Sequence, residues 1–109
     1  MKWEKATPET VALFDSLVPN TPIVERRKMF GYPCAFVNRN MFCGVFENRI
    51  FVRLPENRRA ELIKKGWLNF APMPGRVMKE YLLIPKGKEK SSEGIFKESL
   101  EYALTLKPK

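Results

Sequence analysis

Side chains suited to chemistry are sparse in this sequence. It contains no histidine, which excludes a Ser-His-Asp or Cys-His arrangement, a histidine general base and a mixed Cys/His zinc site. The two cysteines, Cys34 and Cys43, match neither the short C-x₂-C spacing nor a disulfide framework. Both read as small apolar core residues with free thiols. Gly31, Gly44 and Gly66 form neither a dinucleotide-binding fingerprint nor a phosphate loop. Acid/base work would fall to Asp15, the 11 glutamates, lysine or tyrosine, and only where burial shifted a pKa. The expectation is a non-enzymatic chain with no catalytic residue, metal or cofactor, and no small-molecule substrate.

What remains is positive charge interleaved with aromatic rings. The 109 residues carry 20 Lys+Arg against 12 Asp+Glu, a formal net charge of +8. Residues 49–90 hold eleven bases and four acids, and so supply +7 of that total. Such a bias suits a phosphate backbone, an anionic surface, an acidic protein, or simply a solvated face.

Inside this region the strand alternation sorts the side chains. With Glu47-Asn48 as a two-residue hairpin turn, Met41, Cys43, Val45, Ile50, Val52 and Leu54 fall on one face. Phe42, Phe46 and Phe51 fall on the other with Arg49 and Arg53. That mixed face admits three readings. Arginine-flanked rings can stack unpaired bases; the same residues can form a homodimer or protein-partner seam; or the segments 67–75 or 85–91 can fold over the rings.

The elements that must position these groups are legible from local signals. Thr7 and Pro8 open a helix that Pro19 ends near residue 18, with Val11, Phe14, Leu17 and Val18 at helical spacing. From residue 24 to residue 54 the pattern predicts a four-stranded meander with turns at Gly31, at Asn38-Arg39 or Arg39-Asn40, and at Glu47-Asn48. Either of the middle turns would put Cys34 and Cys43 on the same buried face. Phe30 is expected to plug the core beside the first helix, and Gly31 to adopt a backbone angle that a Cβ would strain. A second helix runs from Pro55 to a cap at Gly66, and residues 67–75 read as a loop with Pro72 and Pro74. Residues 77–84 form a fifth strand. Ser91 or Ser92 then caps a last helix whose inward stripe is Phe96, Leu100 and Ala103.

The order is α-β-β-β-β-α-β-α, an α+β fold of two layers with helices on one face of a sheet of about five strands. Residues 1–109 read as a single domain of 12.7 kDa, large enough to bury a core without staples. No apolar run approaches the ~20 residues of a membrane span, and the polar start shows no signal peptide, so a cytoplasmic protein with no membrane contact is expected.

Several residue groups together resemble a known family. Arg26-Arg27-Lys28-Met29-Phe30-Gly31-Tyr32, Phe36-Val37-Asn38, Met41-Phe42-Cys43-Gly44-Val45-Phe46 and Ile50-Phe51-Val52-Arg53-Leu54 look like the N-terminal domain of TfoX/Sxy proteins. Phe70-Ala71-Pro72, Met78, Tyr81 and Pro85 continue the order. The resemblance covers about residues 8 to 105. It implies a fold similar to secretion-chaperone-like domains and a non-enzymatic role in regulating natural competence, acting on transcription through a protein partner. Direct nucleic-acid binding through residues 49–90 is the alternative.

Overall fold

The computed structural model describes residues 3–73 and 75–109. Helix α1 (Pro8–Leu17) starts where the Thr7 hydroxyl accepts from the Thr10 amide, with Pro8 in its first turn, and it buries Phe14 and Leu17. Four strands follow: β1 (Glu25–Met29), β2 (Tyr32–Val37), β3 (Asn40–Phe46) and β4 (Arg49–Arg53). After α2 (Glu56–Lys64) come β5 (Leu68–Met73) and β6 (Arg76–Leu83), and α3 (Glu93–Leu104) closes the order. All strands pair antiparallel in one sheet ordered β1-β2-β3-β4-β6-β5. The fold is therefore α+β.

The sheet has six strands rather than five. Residues 68–73, part of the segment 67–75 expected as a loop on the strength of Pro72 and Pro74, form the edge strand β5, and an edge tolerates the missing amide of Pro72. Hairpin turns set the meander. Phe30 and Gly31 (φ 54° and 83°) join β1 to β2, and Asn38 and Arg39 (φ 50° and 66°) join β2 to β3, both with the doubly positive backbone that suits the right-handed twist of paired strands. Gly31 thus takes the angle expected of it. Phe30 does not plug the core: it stands at the tip of the turn, 72% exposed. Ser92 sits at the start of α3, yet its hydroxyl donates back to the Lys88 carbonyl at 2.8 Å instead of capping the helix.

The helices share one face of the sheet. Phe14 and Leu17 from α1, Leu62 from α2, and Ile95, Phe96, Leu100 and Ala103 from α3 pack on Ala35, Val37, Cys43, Val45, Ile50, Val52, Leu54, Leu82 and Ile84. The β3–β4 register matches the expected one: Cys43 opposes Val52, Gly44 opposes Phe51, Val45 opposes Ile50 and Phe46 opposes Arg49.

One irregularity changes the faces. Phe36 opposes Met41 but Ala35 opposes Cys43, so Phe42 is an extra residue in β3, a β-bulge. Simple alternation puts Phe42 with Phe51, whereas the bulge turns it into the helix-side core, where it is fully buried. Met41 goes the opposite way, into a second cluster with Cys34, Phe51, Phe70 and Tyr81. The same shift separates the cysteines: Cys34 opposes Gly44, and Cys34 and Cys43 lie in different clusters rather than on one face.

Ser99 holds the bulge in place. This fully buried hydroxyl lies 2.6 Å from the Phe42 carbonyl and 2.7 Å from the Arg53 carbonyl, and it accepts from the Arg53 amide at 3.2 Å. It serves backbone groups at the bulge and at the end of β4. Ser99→Ala is expected to leave them without partners at a cost of about 1–3 kcal/mol, while Ser16→Ala, at an exposed hydroxyl, should stay within about 0.5 kcal/mol of the wild type. Urea midpoints of the two variants check this.

Candidate functional site

The second face of the sheet is where the expected mixed face was placed, and four of its five residues are there. Phe42 is the one that is not. Phe51 lies on the floor, only 2% exposed, with its ring stacked on Phe70 at 4.4 Å and 11°. Phe46 meets Phe70 edge-on at 5.4 Å. Strand β5 therefore curls back over the sheet and covers the rings, one of the three arrangements open to the sequence.

The two arginines are spent on the fold. Arg53 pairs with Glu80 at 2.7 Å and lies over the Tyr81 ring, and Arg49 donates to the Ile84 carbonyl at 3.2 Å. Arg58 holds Glu98 and Glu61, and Arg59 donates to the Lys79 carbonyl. Four of the five arginines in residues 49–90 thus bond within the domain. The fifth, Arg76, is exposed and has no hydrogen-bonded or ion-paired side chain among the described residues.

Gly44 is what lets Phe51 lie where it does. A Cβ at residue 44 would stand 2.6 Å from the tip of the Phe51 ring and 3.0 Å from the Cys34 Cβ. Two register shifts in β5, at Asn69/Phe70 and between Phe70 and Met73, bend that strand so that Phe70 reaches the ring. Tyr81 donates to the Met41 carbonyl at 3.0 Å and closes the floor.

The curl leaves a cavity of about 270 Å³ between the floor and the turns. Met29, Phe46, Phe70 and Met78 form its sides, Cys34 and Phe51 its base, and Trp3, Phe30 and Arg76 also line it. Trp3 is brought there by a strap: the Glu4 amide donates to Glu47, the Thr7 amide donates to Asn48, and the Tyr32 hydroxyl donates to the Glu4 carbonyl. Its ring packs edge-on against Phe30 at 5.2 Å and Phe46 at 5.0 Å. Sequence reasoning missed Trp3, Met29, Phe70, Met78 and Arg76 as neighbours. The one available signal was the Phe70-Ala71-Pro72 alternation, which the prolines masked.

Among the described residues the lining does not bring a nucleophile, a base and an acid together. Burial raises the thiol pKa of Cys34 and, more strongly, of Cys43 above the ordinary 9.0, which keeps both as inert thiols near neutral pH. Among the described residues no group of three or more His, Cys, Asp and Glu side chains is placed to hold a metal ion. No helix among them is long and apolar enough to cross a membrane.

The molecule is thus a helix-backed antiparallel sheet with an apolar concavity on its other side. The family model for the TfoX N-terminal domain matches residues 13–101, and the chain belongs to that family. No curated protein matches it. The matched residues contain all of the sheet and most of the cavity wall, while Trp3 and its strap lie outside them.

Two outcomes follow from this packing. Gly44→Ala is expected to overpack the Phe51 site at a cost of about 1–3 kcal/mol, with a loss of near-ultraviolet circular dichroism from the displaced rings; Gly94→Ala, where an added Cβ meets nothing, is expected to be neutral or stabilising. The pH dependence follows from the buried acids. Cys34, Cys43 and Tyr81 are all held protonated in the folded chain by burial, so the folded state keeps protons that the unfolded one releases. Stability should therefore be level below about pH 8 and fall as pH rises through 9 and beyond. Thermal melts from pH 7 to 10.5, with Cys43→Ala flattening the upper part of the decline, check this.

Proposed function

We propose that this chain is a non-enzymatic, competence-related regulatory module that works by binding a protein partner, with Phe30 at the centre of the contact. The observation that carries the reading is the state of Phe30 itself. It is a large apolar ring, 72% exposed, at the rim of an apolar cavity. Its backbone sits at φ 54°, a conformation costing a non-glycine residue roughly 1–2 kcal/mol. Asparagine would suit that turn better, and the edge contact with Trp3 leaves most of the Phe30 ring free for a partner. Exposed aromatics on a strained, well-supported turn are suited to serve as interface anchors.

The family supports the regulatory part of the reading, and Phe46, beside Phe30 around the cavity, extends the same surface. The alternative is direct nucleic-acid binding by residues 49–90. It rests on Lys64, Lys65, Lys79, Lys86, Lys88, Lys90 and Arg76, since the other arginines are engaged inside the domain. A second copy of the chain is the remaining partner.

Phe30→Asn separates contact from folding. Relief of the turn and loss of the Trp3 contact oppose each other, so stability is expected to stay within about 1 kcal/mol of the wild type. Pull-down from lysate of the native cell, with and without nuclease, is expected to give protein bands that survive nuclease and disappear with Phe30→Asn. Bands that vanish with nuclease and fall in proportion to added salt would favour the nucleic-acid alternative. Light scattering of the purified chain distinguishes a dimer from a foreign partner.

A further inference from the structure

We infer that the concave face binds a small amphipathic carboxylate, with an apolar body in the cavity and its acid group at Arg76. The size, lining and unspent polar groups of the cavity all lead to this class of ligand.

Size comes first. A cavity of 150 Å³ with apolar walls admits one benzene, so about 270 Å³ accommodates roughly ten or eleven non-hydrogen atoms on the same scale. That is a medium-length acyl chain or a fused aryl group. The walls favour an apolar body without fixing its shape, because Met29, Met73 and Met78 are flexible thioethers set among the rings of Phe46, Phe51 and Phe70.

The polar groups then set the head. Among the described residues Arg76 is the only charged one lining the cavity. The indole N–H of Trp3 is buried and has no hydrogen-bond partner among the described residues. The Tyr32 hydroxyl is already committed to the Glu4 carbonyl. Arg76 is cationic and can only donate, so an anionic acceptor complements it and an amine does not. A carboxylate takes the arginine fork and leaves its chain pointing into the methionines. This inference is independent of the protein-partner reading, because it requires only the purified chain and a small molecule.

The test uses the full chain with ε-¹³C-methionine and decanoate, kept below its micelle concentration, with decan-1-ol as the uncharged control. Decanoate is expected to shift the methyls of Met29, Met73 and Met78 in saturable fashion. Decan-1-ol is expected to shift the same methyls with affinity weaker by about fivefold. Arg76→Gln should bring decanoate down to the level of the alcohol and leave the alcohol unchanged. Because Arg76 is exposed, this variant folds as the wild type does, and its melting curve confirms that. Shifts that never saturate, or shifts confined to other methyls, would overturn the inference. So would equal affinity for acid and alcohol in the wild type, or a decanoate affinity indifferent to Arg76→Gln. A long-chain amine binding better than the acid would overturn it as well.

Discussion

An extra residue in β3, fixed by one buried hydroxyl, sets the character of both faces of this sheet. The bulge at Phe42 turns that ring into the helix-side core and sends Met41 to the other side. The Ser99 hydroxyl on α3 lies within hydrogen-bond distance of the Phe42 carbonyl at the bulge and of the Arg53 carbonyl at the end of β4, so the helix layer and the bulge stabilise each other. A bulge also increases local twist. With further irregularities at Phe70 in β5, it lets the far edge of the sheet curl toward Phe46 until Phe70 stacks on Phe51. The cavity is the space that such a curl cannot fill.

Most of the fold was legible because it rests on local rules. The Thr7-Pro8 start, the positive-φ turn at Gly31 and the Phe96-Leu100-Ala103 stripe depend on short-range sterics and periodicity, and each stands where expected. The β3–β4 register was legible too, because a two-residue turn leaves one pairing. The strand at 68–73 was hidden because edge position, which a proline needs in a sheet, is a property of topology and not of the segment.

The site was legible only in part, and the misplacements have a common cause. Alternation carries no sign of an inserted residue, so every inference drawn through Phe42 was shifted: the ring went to the wrong face, and Cys34 and Cys43 were placed together. Phe30 was misread for a different reason. A large ring in a doubly positive turn is costly, and sequence logic sends large rings inward; here the turn geometry prevails and the ring stands outside. Arg49 and Arg53 were correctly placed on the second face, but the carbonyl of Ile84 and the carboxylate of Glu80 that occupy them come from the far side of the chain and leave no local trace.

The cavity depends on the curl, and ring-to-ring nuclear Overhauser effects measure it directly. Phe51 and Phe70 are on strands separated by β6, with centroids 4.4 Å apart. Strong cross-peaks between their ring protons, together with weaker ones from Phe70 to Phe46, are the predicted result. A Phe70 ring with contacts only to its β6 neighbour Met78 would mean a flat sheet with an open face, and would contradict both the cavity and everything derived from it.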